Sequence, residues 1–444
     1  MTGIGDQGSG VRDEGLAALR RDLLDARDAR QAALDRLRGA DGPVVCLSVS
    51  VPGLDKHRPG LAALQRLAAE ALERTLQVTP LESGRDAAGP WAAFRVSLSP
   101  ERAKRATVDL EEFLAAGRLI DLDVYDPAGA QVDRASLHLP ARPCLLCDRP
   151  AVECIRHSRH VTTDLSAAAD RLLVRVLAST LVAGARIELE LTPKPGLVDR
   201  LDCGSHPDLS FDLMSRSIDL LPAYFEDVLD HASSPDLAAP VEAGVRAERR
   251  MIETVGTNTH KGYIFLAGLV LLAAGTAARP DDLRRQVTGI AERILAPRFG
   301  QDGPDRAGAR SHGARIRADH ALGGIYREAR LGLPSIFDAG LPVLTTTPVP
   351  SGRTQHRLMA VLMQTVEDTT AVHRCGLAGL ARLRNDGATL QRLVDGGRDY
   401  LPWLAALNDD YRRLGLTMGG VADCMALCFG LHDWLETYPS TRPG

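Results

Sequence analysis

Strand-forming patterns stop near residue 160 of this chain. Before that point, short alternating runs are interleaved with helical ones. After it, apolar residues recur only at helical spacing, between Gly-rich loops. A chain of 444 residues also exceeds one ordinary core. The two textures together predict a small α+β N-terminal domain over residues 12–165, followed by a larger all-α C-terminal domain over 166–438.

In the first part, residues 13–38 read as a helix. Residues 44–51 alternate as a strand that stops at Pro52-Gly53. A helix over 61–76, a strand over 91–98, a helix over 101–116 and a strand over 118–125 follow. The turn Asp126-Pro127-Ala128-Gly129 leads into a further strand near 132–139. In the second part the clearest helices are expected at 167–185, 210–229, 241–254, 263–278, 281–295, 355–372 and 425–437.

A hydrophobic content of 45% and a charged content of 25% describe a soluble globular protein. The net charge of −4 argues against a general nucleic-acid binder, which needs a basic face. The apolar run 263–278 is short for a membrane span and carries Gly268 and Gly275, so a buried helix is expected there and no membrane contact. Without a charged segment leading into an apolar stretch at the N-terminus, and with eight dispersed cysteines, a reducing cytoplasmic setting is expected.

Of the 53 basic residues only four are lysine: Lys56, Lys104, Lys194 and Lys261. The last two stand in the strings Thr192-Pro193-Lys194-Pro195-Gly196-Leu197-Val198-Asp199 and Thr257-Asn258-Thr259-His260-Lys261-Gly262. A compact ammonium kept in an arginine-rich chain suggests a phosphate pocket that a planar guanidinium does not fill. These strings belong to two of five polar loops, 193–208 with His206 and Asp208, and 248–261 with Glu248. The other three are Ser311-His312-Gly313 with Arg327-Glu328, Glu367-Asp368 with His373-Arg374, and Gly419-Gly420-Val421-Ala422-Asp423. Each alone reads equally well as a capped helix end or as an anion site built on backbone N–H groups. No Walker A string and no G-x-G-x-x-G after a strand occurs.

Asp121 and Asp123 fall two apart on a predicted strand, so their carboxylates share a face. Alternation alone favours a solvated face, whereas paired strand aspartates also suit Mg²⁺ in nucleotidyl chemistry. Cys144, Cys147 and Cys154, followed by His157 and His160, have the spacing C-x2-C-x6-C. Four such ligands fit Zn²⁺, and buried thiols are the alternative.

The two lysine strings, with Gly204-Ser205-His206-x-Asp208 and Gly419-Gly420-x-Ala422-Asp423, closely resemble triphosphoribosyl-dephospho-coenzyme A synthase over roughly residues 170–435. That resemblance implies that ATP and 3′-dephospho-coenzyme A give 2′-(5″-triphosphoribosyl)-3′-dephospho-coenzyme A and adenine. The N-terminal part resembles apo-citrate lyase phosphoribosyl-dephospho-coenzyme A transferase over roughly residues 15–160. The residues carrying it are Arg27-Asp28-Ala29-Arg30-Gln31, Pro52-Gly53 with Lys56, Gly117 to Val124, and Cys144-Leu145-Leu146-Cys147 with Cys154 and His160. It implies transfer of the phosphoribosyl-dephospho-coenzyme A unit to a serine of an apo acyl carrier protein, of citrate lyase or malonate decarboxylase type, with release of pyrophosphate. The chain looks like a fusion of the two activities.

Glycoside-like displacement at C1″ of ATP needs cations for the triphosphate, a base for the attacking hydroxyl and a proton donor for adenine. Lys194, Lys261 and Arg374 are expected to grip phosphates. Asp199 and Asn258 are expected to bind substrate. Glu248, Glu328, Asp368 and Asp423 are expected to supply the base and Mg²⁺ ligands, with Asp368 and Asp423 foremost as ligands. His206 and His260 are candidates for proton transfer or for ligand binding. In the other half, Asp121 and Asp123 are expected to hold Mg²⁺ and Arg118 to meet phosphate.

Some positions depart from the family patterns. Leu114 and Ala115 replace a His-Pro pair, Leu54 ends the Pro-Gly-Pro turn, and Tyr326-Arg327-Glu328-Ala329, Asp368-Thr369-Thr370 and Arg374-Cys375-Gly376 replace Arg-Gly-Glu-Ala, Asp-Thr-Asn and Arg-Gly-Gly. These leave a second reading: only the C-terminal transfer is active, on a changed acceptor, and the N-terminal half is a noncatalytic carrier-protein docking module.

Overall fold

The computed structural model describes residues 8–435 except 40, 54, 55, 57, 233, 277–281, 300–321 and 346–350. The expected loop Ser311-His312-Gly313 lies outside the described residues. The chain divides into two compact units, one reaching Val176 and one spanning Leu177–Leu435. A small α+β unit is followed by a larger helical one, as the sequence predicts.

The first unit is built on five antiparallel strands in the order β2-β3-β1-β4-β5. These are β1 (Val44–Val49), β2 (Pro80–Asp86), β3 (Gly89–Arg95), β4 (Ile120–Tyr125) and β5 (Gln131–Val132). Side chains alternate across a strand, and here the two faces differ in kind. Val45, Leu47, Leu122 and Val124 are at most 1% exposed. Helices α2 (Leu61–Leu76) and α3 (Pro100–Phe113) pack against these strands. Burying each such side chain contributes about 1.5–3 kcal/mol. On the opposite face, Ala33 and Leu34 of α1 (Gly8–Leu37) cluster with Val44, Cys46, Trp91 and Ala93. The β1–β4 register sets Cys46 opposite Asp123 and Ser48 opposite Asp121. Both aspartates therefore lie on the α1 face.

Ser99 caps α3 by accepting from Arg102 N at 3.3 Å, and Pro100 occupies its first turn. The helix ends at Phe113. Leu114 and Ala115 lie in the turn leading to Gly117, where a Cβ would fall 2.0 Å from the Glu111 carbonyl oxygen. Two expectations are corrected. Pairing of the strand predicted at 132–139 stops after Val132, because Asp133 accepts from Ser136 N at 2.7 Å and turns the chain. Strand β2 was not expected; it is an edge strand, largely exposed along its length.

The second unit is helical. The helix Thr162–Glu190 contains the division between the units. Two helices form the interior: Lys261–Thr276, with Leu266 to Ala274 buried throughout, and a C-terminal helix, Gly419–Leu435, buried on nearly every side. An all-round apolar helix is a core helix in such a unit, as expected for the run after Gly262. No helix among the described residues is long and apolar enough to cross a membrane. The helix expected at 210–229 is two, Phe211–Ile218 and Leu221–Leu229, the second with Pro222 in its first turn. The helix expected at 355–372 is broken. Gly352–Thr365 ends at Val366, and a new helix, Thr369–Asp395, starts from the Asp368 cap.

Candidate functional site

Each unit carries a polar concavity. In the first, a cleft of about 670 Å³ lies between α1 and strands β1 and β4. Asp121 and Asp123 line it together with Arg20, Arg27 and Lys56. Asp123 accepts from Gln131 Nε2 at 2.7 Å. Burial and the neighbouring Asp121 push its pKa up to about 6, against the opposing pull of Lys104. Burial also pushes the Cys46 thiol up to about 12, so it stays protonated. Arg30 is fixed by a two-bond pair with Asp86, both bonds 2.7 Å. Among the described residues, no ion pair holds Arg20 or Arg27. Lys56 Nζ donates to the Val51 carbonyl. Arg118 is not in the cleft: its guanidinium donates to Pro143 O at 3.2 Å, and Arg142 stands 3.5 Å from Asp121 instead.

In the second unit, a narrow pocket of about 100 Å³ is lined by Glu188, His206, Thr259, His260, Tyr263 and Asp423. His260 is 7% exposed, with Nδ1 at 2.7 Å from Thr259 Oγ1 and 3.0 Å from Ser217 Oγ. Burial, helped by the Lys194 charge, pushes its pKa down to about 4, so the ring is neutral at pH 7. His206 bonds Thr417 Oγ1 at 2.7 Å and is also lowered, by burial and by the charge of nearby Arg374. Asp423 moves the other way: burial, then the Asp368 and Glu188 charges, raise it well above the usual carboxylate range. A Cβ on Gly262 would fall 2.0 Å from Asp423 Oδ2, so a larger residue there would displace this side chain.

A second cluster forms near the start of the Lys261–Thr276 helix. Glu248 Oε2 accepts from Asn258 Nδ2 at 3.0 Å and stands 3.3 Å from Lys261 Nζ. Asn258 Oδ1 is buried without a hydrogen-bond partner among the described residues. The Lys261 side chain is 56% exposed.

Other expected residues are engaged by the fold. Lys194 is 1% exposed and donates to Glu188 Oε1 at 2.6 Å and Glu188 O at 2.5 Å. Asp199 accepts from Lys194 N at 2.8 Å and Leu201 N at 2.7 Å, which shapes the loop that opens at Pro193. Asp368 is fully buried. It accepts from Thr370 N, Ala371 N and Val421 N at 2.9 Å each and from Thr370 Oγ1 at 2.5 Å. Glu328 accepts from Ser335 Oγ at 2.6 Å and Ser335 N at 3.2 Å, and burial raises its pKa. In the first unit, Cys144, Cys147, Cys154 and His160 do converge, with ligand atoms within 4.8 Å of one another.

Comparison with known proteins bears on both sites. Residues 174–442 match ATP:dephospho-CoA triphosphoribosyl transferase, more than half of the chain. The chain belongs to this family. Residues 19–176 match apo-citrate lyase phosphoribosyl-dephospho-CoA transferase, so it is a fusion of two transferase domains. Protein CitXG of Haemophilus influenzae is 28% identical over 446 residues, covering 91% of this chain and 94% of that protein. Protein CitXG of Leuconostoc mesenteroides subsp. cremoris is 26% identical over 448 residues, with 91% and 95% covered. A probable 2-(5″-triphosphoribosyl)-3′-dephosphocoenzyme-A synthase of Pseudomonas paraeruginosa is 35% identical over 274 residues, covering 58% of this chain and 88% of that protein.

Sequence reasoning missed Glu188, which lies beyond the predicted end of its helix, and the α1 arginines Arg20 and Arg27 as cleft residues. Periodicity carries no signal for either, because a charged residue on an amphipathic helix reads as solvated.

Proposed function

We propose that the chain makes and attaches a coenzyme A-derived prosthetic group. A synthase domain over 166–438 converts ATP and 3′-dephospho-coenzyme A into 2′-(5″-triphosphoribosyl)-3′-dephospho-coenzyme A and adenine. A transferase domain over 12–165 then moves the phosphoribosyl-dephospho-coenzyme A unit to a serine of an apo acyl carrier protein of citrate lyase type and releases pyrophosphate. A carrier of malonate decarboxylase type is the alternative acceptor. The observation that carries this reading is the first unit's cleft, where two mutually repelling carboxylates face Arg20, Arg27 and Lys56. That arrangement suits a pyrophosphate flanked by cations on one side and a divalent ion on the other.

Asp121 and Asp123 would hold Mg²⁺, which neutralises charge on a leaving pyrophosphate. In the second unit, Lys261 and Arg374 meet triphosphate oxygens, and Asn258 Oδ1 accepts from the substrate. Asp423, held in its protonated range by burial, can donate to departing adenine. His260, neutral and fixed through Nδ1, orients the attacking ribose hydroxyl with His206. Among the four expected carboxylates, Glu248 and Asp423 border open space, whereas Asp368 and Glu328 hold loops together.

The test follows both products. Purified chain with ATP and dephospho-coenzyme A should release adenine, and adding apo carrier protein should raise that protein's mass by the phosphoribosyl-dephospho-coenzyme A unit. Lys261→Met should abolish adenine release, and Asp121→Asn should stop transfer while leaving adenine release intact. If Asp121→Asn stops both, the two sites are not separate. If adenine appears but no carrier of either type gains mass, the N-terminal half is a docking module.

A further inference from the structure

Residues 142–160 form a small folded knuckle with its own hydrogen-bond frame. Cys144 N donates to Arg149 O at 2.7 Å and Ala151 N to Arg142 O at 2.8 Å, around an antiparallel bridge between Pro143 and Pro150. This places Cys144 and Cys147 on one tight turn. Cys154 enters from the short helix Ala151–Arg156, and Arg159 N donates to Cys154 O at 3.0 Å, turning the chain so that His160 faces back.

The ligand-atom spacings can be compared with a metal polyhedron. Zn–S bonds of about 2.3 Å and Zn–N bonds of about 2.05 Å at tetrahedral angles give S···S edges of about 3.8 Å and S···N edges of about 3.6 Å. Cys147 Sγ lies 3.6 Å from Cys154 Sγ and 3.3 Å from His160 Nε2, and all four ligand atoms fall within 4.8 Å of one another. None of the three cysteines is in a disulfide. Cys144 and Cys154 are buried while Cys147 and His160 are half-buried, which gives a closed structural site with a path for the ion.

We propose that Cys144, Cys147, Cys154 and His160 bind one structural Zn²⁺ that holds the knuckle against the edge of the transferase cleft. The fold gives that anchoring a consequence. Arg142, at the base of the knuckle, donates to Gly117 O at 3.3 Å and to Ile120 O, and stands 3.5 Å from Asp121. Arg118 reaches back to Pro143 O at 3.2 Å. The ion therefore fixes the arginine that borders the acidic pair without itself entering the cleft. The Zn²⁺ site does not depend on which carrier protein is modified.

The experiment is metal analysis of full-length protein purified without chelators, with intact mass measured alongside. About one zinc per chain is expected. Replacement by Co²⁺ should give the intense visible bands and thiolate charge-transfer absorption of a tetrahedral thiolate site. Cys147→Ser and Cys154→Ser should reduce zinc to background. His160→Cys, which preserves four ligands, should retain it, as should Cys375→Ser in the other unit. Wild-type protein that neither carries zinc nor takes it up on reconstitution overturns the proposal. So does an intact mass two hydrogens short, locating a disulfide among these cysteines, or a Cys147→Ser variant with undiminished zinc. The wild-type measurements decide the matter even if a variant fails to fold.

Discussion

Lys194→Met tests what an ammonium does when the fold has already enclosed it. In the structure Lys194 Nζ is buried and held by both the carboxylate and the carbonyl of Glu188, at 2.6 and 2.5 Å. Methionine preserves the stem and removes the charge. Glu188, itself 7% exposed, would then carry a buried carboxylate without its cation. Breaking one side of such a pair costs about 3–5 kcal/mol. For a unit of this size each kcal/mol corresponds to about 2–4 °C, so the melting temperature should fall by about 6–20 °C. Trp403 and Trp434 lie in the second unit and report its melting by fluorescence. The double variant Lys194→Met/Glu188→Gln removes both charges and should recover at least half of the loss. The alternative role, direct contact with a phosphate, predicts another pattern: Lys194→Met melts within about 2 °C of the parent yet loses ATP affinity, and the double variant recovers nothing. That outcome would refute the buried-pair reasoning.

Two pH dependences follow from the same geometry. His260, lowered to about 4 by burial and by Lys194, stays neutral in the folded chain where the unfolded chain takes up a proton. Its contribution is therefore present above pH 6.5 and lost as pH falls toward 4, by about 3 kcal/mol in all. Denaturant midpoints of the parent and His260→Asn, compared at pH 7 and pH 4.5, should converge at the lower pH; parallel shifts would remove the histidine from the account. In the first unit, Asp123 loses its proton near pH 6, so carrier transfer should rise through that pH. Lys104→Met, which takes away a charge that lowers Asp123, should move this limb upward. A limb near pH 4 in the parent protein, the ordinary carboxylate range, would contradict the paired-carboxylate description.

Much of this arrangement is written locally in the sequence. The alternation around Asp121 and Asp123 placed both on one face, and the polar strings around Asn258 and Lys261 marked a real cluster with Glu248. What periodicity misses is decided by side chains acting at a distance. Strand β2 has too little burial to alternate visibly. The break at 366–368 has no glycine or proline to announce it; it exists because Asp368 finds four donors, one of them Val421 N, which is far along the chain. Lys194 and Glu188 are six residues apart, but only the folded loop turns them into an enclosed pair. Lysine scarcity singled out Lys194 and Lys261, but it does not say whether the partner is a phosphate or a carboxylate.

The Thr370 hydroxyl donates to Asp368 and accepts from Gly419 N at 2.8 Å, while the other Asp368 oxygen accepts from Val421 N. Two stretches that look independent along the chain, the one leading to Arg374 and the one leading to Asp423, are thus riveted at a shared joint. Variation at either stretch will be felt at the other, so substitutions there should be tried in pairs. Thr370 is then a local solution to joining two helix starts, and specificity differences should be sought at the pocket walls.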